Sequence, residues 1–198
     1  MNFRLANLGL AAALLTTSLL PTAAKAATFN LAGGETQVVL SSGFVSALGS
    51  LGVTPAAVGP ATLRKGVAAF PITYGLVDLT NTLVEVNHVG GLSLTAGSTV
   101  VELLDFEIEV LNSSPVLTGV VTVNGAIAGR IPLFTIASIG SVYQPNKETL
   151  SIQGVALTLS STAAAALNSV FNVTAFTSGF SIGTASTFTF VEDHSCKR

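Results

Sequence analysis

The chain has 198 residues, of which 49% are hydrophobic and only 9% charged, with a formal net charge of −2. That much apolar side chain can offset chain entropy, which excludes a disordered chain. A weakly acidic balance without a basic run argues against nucleic acid or anionic membrane surfaces as partners. The single cysteine excludes an internal disulfide, so the apolar core alone must hold the fold.

The first 26 residues read as a secretory signal peptide. Arg4 supplies the positive start, Leu8 to Leu20 the apolar core, Pro21 the break, and Ala24-Lys25-Ala26 the small-x-small cleavage pattern. The apolar run is 13 residues long, and a membrane-spanning helix needs roughly 20. Cleavage after Ala26 is expected, with export to the periplasm or the cell exterior. No later stretch is long and uninterrupted enough to predict a transmembrane segment. Residues 27–198 then form a single β-rich domain with a mobile tail at 192–198. There the lone thiol, Cys196, reads as incidental. Without Arg4 and Lys25, ten acidic residues face six basic ones, a net charge of −4.

Gln37 to Leu40 is strand-like and meets Ser41-Ser42, a pair suited to cap a helix. Phe44, Val45, Leu48 and Leu51 then fall on one helical face, and Gly52 ends the helix. The pattern returns 119 residues later. Leu159 to Val170 matches Leu40 to Leu51 at six of twelve positions. Ala156 to Leu159 supplies the second strand, Ser160-Ser161 the second cap, and Asn172 the second stop. Two related strand–helix units are expected, and their repeated polar residues read as caps rather than as a duplicated binding element.

Gly66 to Leu159 reads as β throughout, in runs rich in Val, Ile, Leu, Thr and Phe punctuated by Gly, Asn and Pro. The clearest strands are Thr82 to His88, Gly91 to Thr95, Thr99 to Val110, Val116 to Asn124 and Thr149 to Leu159. Asn124-Gly125 is the strongest hairpin signal, because both residues tolerate the positive φ of a type I′ turn. Gly90-Gly91 and Ala96-Gly97-Ser98 mark further turns, and Phe180 to Glu192 supplies one or two closing strands. The predicted class is mainly β, an antiparallel sandwich or barrel with two short helices.

Reactive side chains are sparse. Asp105, Glu107 and Glu109 alternate with Phe106, Ile108 and Val110, so the acids share one strand face. They are weak candidates for a metal: calcium wants six to eight oxygens from a tight loop. As a glycosidase pair they lack an aromatic platform, since the chain has no Trp and two Tyr. A solvated face is the simpler reading, with Arg130 pairing to it. No nucleophile elbow, metal-ligand spacing or phosphate loop is present. His88, before Gly90-Gly91, reads either as a histidine bonded to backbone or as a ligand contact.

Phe70-Pro71, His88-Val89-Gly90-Gly91-Leu92-Ser93-Leu94, the acidic strand and the Leu117–Val123 strand follow in order after the Ser42–Leu51 helix. In this order they resemble the HtaA-type domains, a family of exported bacterial β-domains associated with haem uptake. The resemblance covers Gln37 to Phe134. It implies a haem-iron Tyr on the early helix and a supporting His in an H-x-G stretch. His88 matches the second. The first falls near Ala47, where this chain has no Tyr, and Tyr74 is left as a substitute candidate. The leading expectation is a secreted, non-enzymatic β-domain without a cofactor, serving as a cell-surface, matrix or adhesion module that self-associates or meets a surface partner. The alternative is an HtaA-like binding protein for haem or another small apolar ligand, with His88 and Tyr74 at the site. A glycan-active protein ranks last.

Overall fold

The structure, a computed structural model, describes residues 28–78, 83–111 and 114–192. The predicted signal peptide, the tail beyond residue 192, His194 and Cys196 lie outside the described residues.

Among the described residues the chain forms twelve strands and two helices. Strand β1 (Thr28–Leu40) leads into α1 (Ser42–Ser50), followed by β2 (Thr54–Val58), β3 (Thr62–Arg64) and β4 (Val67–Asp78). Next come β5 (Leu83–His88), β6 (Gly91–Ala96), β7 (Thr99–Leu111), β8 (Ser114–Val123), β9 (Ala126–Ser138) and β10 (Ser141–Asn146). The chain closes with β11 (Thr149–Leu159), α2 (Ser161–Phe171) and β12 (Ser181–Glu192).

Of the two predicted architectures, the chain adopts the barrel. Eight antiparallel strands close in the order β7-β5-β4-β1-β12-β11-β9-β8, and the β7–β8 pairing completes the ring. Closure removes the long edges that an apolar strand would otherwise expose. The other four strands extend it: β6 and β2 from β7, β3 from β4, and β10 from β11. The Asn124-Gly125 turn has φ of 50° and 79°, as a type I′ hairpin requires. The sequence reading fell short on β1, which begins at Thr28 rather than Gln37, and did not single out β2, β3, β4 or β10.

The two related units are structurally equivalent. Ser41 and Ser160 are the N-caps, accepting from Phe44 N at 3.1 Å and Ala163 N at 3.0 Å. Asn172 closes α2 in the left-handed region, with φ 51°. Strands β1 and β11 flank β12 on either side, and Leu40 and Thr158 pair with Gly183 and Ser181. Both helices therefore rise from the same rim of the barrel.

Strands β5 and β6 behave as one long strand broken at His88-Val89-Gly90. Asn87 pairs with Glu107 and Gly91 with Leu104, both on β7, in nearly the same antiparallel register. On the other edge β5 pairs with β4, whereas β6 pairs with β2. The break thus marks where the chain leaves one neighbour for another. Gly90 has φ 81°. At Gly91 a Cβ would lie 1.9 Å from the carbonyl oxygen of Leu103, so only glycine fits.

The interior holds two apolar clusters. The larger includes Val38, Leu48, Leu92, Leu133, Leu167 and Ala185; the smaller is Leu31, Ile72, Val77, Val86, Leu150 and Val191. Along each of three strands a buried polar residue separates them: Thr36 lies between Leu31 and Val38, His88 between Val86 and Leu92, and Thr187 between Val191 and Ala185.

Candidate functional site

Inside the larger cluster lies an apolar cavity of about 90 Å³. Its lining comes from all eight barrel strands, β6 and both helices, including Phe44 of α1 and Ala166, Leu167 and Val170 of α2. Among the described residues, Thr36, His88 and Thr187 are the only polar side chains that line it. For scale, an engineered apolar cavity of roughly 150 Å³ stays dry and accepts benzene. This one is smaller but of the same character.

His88 is 6% exposed and both ring nitrogens are engaged. Nδ1 lies 3.0 Å from the carbonyl oxygen of Phe106, and Nε2 lies 2.8 Å from Thr36 Oγ1. A carbonyl oxygen can only accept, so Nδ1 carries the proton. Burial holds the His88 pKa down to about 4, against a smaller upward pull from the Phe106 carbonyl. The ring is therefore neutral at pH 7, and Nε2 accepts the Thr36 hydroxyl proton. Thr36 Oγ1 also lies 2.9 Å from Thr187 Oγ1. Having given its proton to His88, Thr36 must accept the one from Thr187. The hydrogen bonds run one way, from Thr187 through Thr36 to His88.

The two sequence-predicted ligand residues do not meet. His88 is inside the barrel, while Tyr74 is 57% exposed and absent from the cavity lining. They lie close in the β4–β5 ladder, where Ile72 pairs with His88 and Tyr74 with Asn87, but the register shifts between Ile72 and Tyr74. Tyr143 is also exposed, at 45%. Thr36 and Thr187 were missed by sequence reasoning. Their signal was faint: two threonines on the inward positions of alternating strands, one of them in a part of β1 that the pattern did not reveal.

Phe106, Ile108 and Val110 pack inward as the alternation requires. Asp105 sits on an irregularity of β7 with φ 48°, and its N–H donates to Gly90 O at 2.9 Å. Glu107 meets Arg130 at 3.3 Å, and Arg130 also donates to Thr118 Oγ1 at 3.1 Å. Desolvation raises the Glu107 pKa. The Arg130 charge opposes this, while Glu109 and Glu85 add to it. Among the described residues no three His, Cys, Asp or Glu side chains come together as a metal site would require.

Haem, which the family resemblance implies, can be tested against these residues. Among the described residues no tyrosine lines the cavity, Ala47 stands near the expected tyrosine position, and both His88 nitrogens are already bonded. The side chains present do not fit haem-iron ligation inside the barrel.

No family model and no curated protein matches the chain. Solved structures do. The C-terminal domain of HtaA from Corynebacterium glutamicum is similar at 15% identity and TM-score 0.63, over 83% of this chain and 99% of that one. The N-terminal domain of the same protein is similar at 13% identity and TM-score 0.61, over 82% and 99%. The heme binding protein HtaB from the same organism is similar at 11% identity and TM-score 0.52, over 83% and 95%. At these identities the likeness is one of fold, and the chain has the fold of HtaA-type domains.

Proposed function

We propose that this chain is an exported, non-enzymatic binding domain of HtaA-like fold that takes a small apolar ligand into its barrel. The observation that carries this reading is the apolar cavity of about 90 Å³ beneath α1 and α2, with its one polar cluster at His88. Its walls are apolar apart from that cluster, and filling it gains dispersion contacts that its lining otherwise lacks. The likeness to a protein described as heme binding weighs toward ligand binding and away from a matrix or adhesion role.

Haem is the second reading, favoured by that same likeness to HtaB. It has to contend with the missing tyrosine and the two occupied nitrogens of His88. One pair of titrations separates the readings. Xenon added to the purified protein is expected to shift methyl NMR signals of Leu133, Leu167 and Val170, and haem is expected to leave its Soret band unmoved. Unmoved methyl signals would sink the cavity reading. A Soret shift that is lost in His88→Ala would establish haem instead.

A further inference from the structure

The one-way hydrogen-bond chain at the cavity wall limits what the cavity can recognise. Thr187 gives its only proton to Thr36, and Thr36 gives its only proton to His88 Nε2. The remaining His88 proton is held by the carbonyl of Phe106. Within this cluster no polar hydrogen is left over to point at a ligand. What remains is acceptor capacity: both lone pairs of Thr187 Oγ1 and one of Thr36 Oγ1. Both residues line the cavity, and among the described residues no charged side chain does.

We propose that the cavity selects uncharged apolar molecules bearing one hydroxyl or N–H group, whose proton is received by Thr187 Oγ1. This rests on the cavity-binding reading above and names its ligand class. A ligand offering only an acceptor, such as an aldehyde or ether, finds no donor and loses its hydrogen bonds to water without replacement. A carboxylate fares worse, because it brings a charge to a wall without a cation or donor. A plain hydrocarbon enters but gains nothing from the polar cluster. The side-chain chemistry thus ranks ligands of one shape by a single functional group.

The test uses three probes of nearly equal shape on the purified full chain: phenol as donor, fluorobenzene as the neutral isostere, and benzaldehyde as acceptor only. Affinities come from methyl NMR titration, in wild type and in Thr187→Val, a substitution that keeps the shape and strands no donor. Comparing ratios across the two proteins removes the difference in hydrophobicity between probes. The affinity ratio of phenol to fluorobenzene is expected to fall about fivefold in Thr187→Val, the factor one net hydrogen bond supplies. The benzaldehyde ratio is expected not to fall. In the unliganded wild type, the ¹⁵N signals of His88 should show a proton on Nδ1 and a bare Nε2. An unchanged phenol ratio with fluorobenzene still bound overturns the donor selectivity and leaves the cavity reading intact. A proton on Nε2 overturns it as well. Binding of none of the three overturns the donor selectivity, and the xenon titration then decides the cavity reading separately.

Discussion

His88 Nδ1 donates to the carbonyl oxygen of Phe106 across 3.0 Å, in a part of the barrel where His88 is 6% exposed and Phe106 5%. The contact ties the end of β5 to the irregular stretch of β7 beside Asp105. There β7 changes its partner from β6 to β5. A histidine at a strand break would otherwise be free to turn outward. Here the break presents an inward direction and a carbonyl freed from the regular ladder, and the ring takes both.

That burial couples stability to acidity. Burial holds the folded pKa of His88 down to about 4, against an ordinary value of 6.5. Below 6.5 the unfolded chain takes up the proton more readily, so stability falls as pH drops. The contribution is fully present above 6.5, is lost progressively down to about 4, and levels off below. By linkage the total is about 3 kcal/mol. Urea midpoints measured from pH 7.5 to 4 should decline over that window in wild type. The difference between wild type and His88→Leu should carry the same slope, because other groups titrate alike in both. A constant difference across the window would refute the coupling.

The direction of the hydrogen-bond chain predicts an asymmetry between its two threonines. Thr36→Val leaves Nε2 of His88 as a buried acceptor without a donor and the Thr187 hydroxyl proton without its acceptor. Thr187→Val removes only the last link, and Thr36 keeps its bond to His88. The first should cost about 2 kcal/mol or more and the second about 1 kcal/mol or less, from the price of an unpaired buried group against one net hydrogen bond. Denaturant unfolding of the two variants checks the order. Equal costs would mean the protons run differently.

The duplicated caps make a third case. Ser41 and Ser160 each hold the first turn of a helix, and each hydroxyl also donates outward, to Ser181 O and Pro132 O, both at 2.7 Å. Substitution by alanine should cost about 1 kcal/mol at each cap. Ser160 should cost more, since it is 9% exposed and its loss strands the Pro132 carbonyl further from water. The caps belong to different helices, so the double variant should be close to additive. Thermal melts of the three variants test both the ranking and the additivity.

Much of this architecture was legible in the sequence because it depends on local rules. Ser41 and Ser160 announce caps, Asn124-Gly125 announces a hairpin, and Phe106, Ile108 and Val110 announce an inward face. The choice of barrel over sandwich depends on pairings between strands far apart in the chain, above all β1 with β12, which no local pattern encodes. The site was half legible for a similar reason. His88 stood out by chemistry, but its partners Thr36 and Thr187 are 151 residues apart and look like any strand threonines. Tyr74 was a candidate by residue type alone, and the β4–β5 register shifts between Ile72 and Tyr74, where its side chain stands exposed.

The last prediction concerns the glycine that lets the strand break form. A Cβ at Gly91 would lie 1.9 Å from Leu103 O and 2.9 Å from Leu104 Cα, so backbone would have to move. No flexible side-chain end can yield there. Gly91→Ala should therefore destabilise the domain by about 3 kcal/mol or more, the range associated with forced backbone shifts and overpacking. Gly97, with φ 58° and open space around its Cβ position, is a suitable contrast. There alanine meets conformational strain alone and should cost about 1 kcal/mol. Because β6 carries Leu92 and Leu94 into the cavity wall, the Gly91 variant should also weaken xenon binding while the Gly97 variant leaves it unchanged. Matching stabilities for the two variants would show that β6 does not run this close to β7.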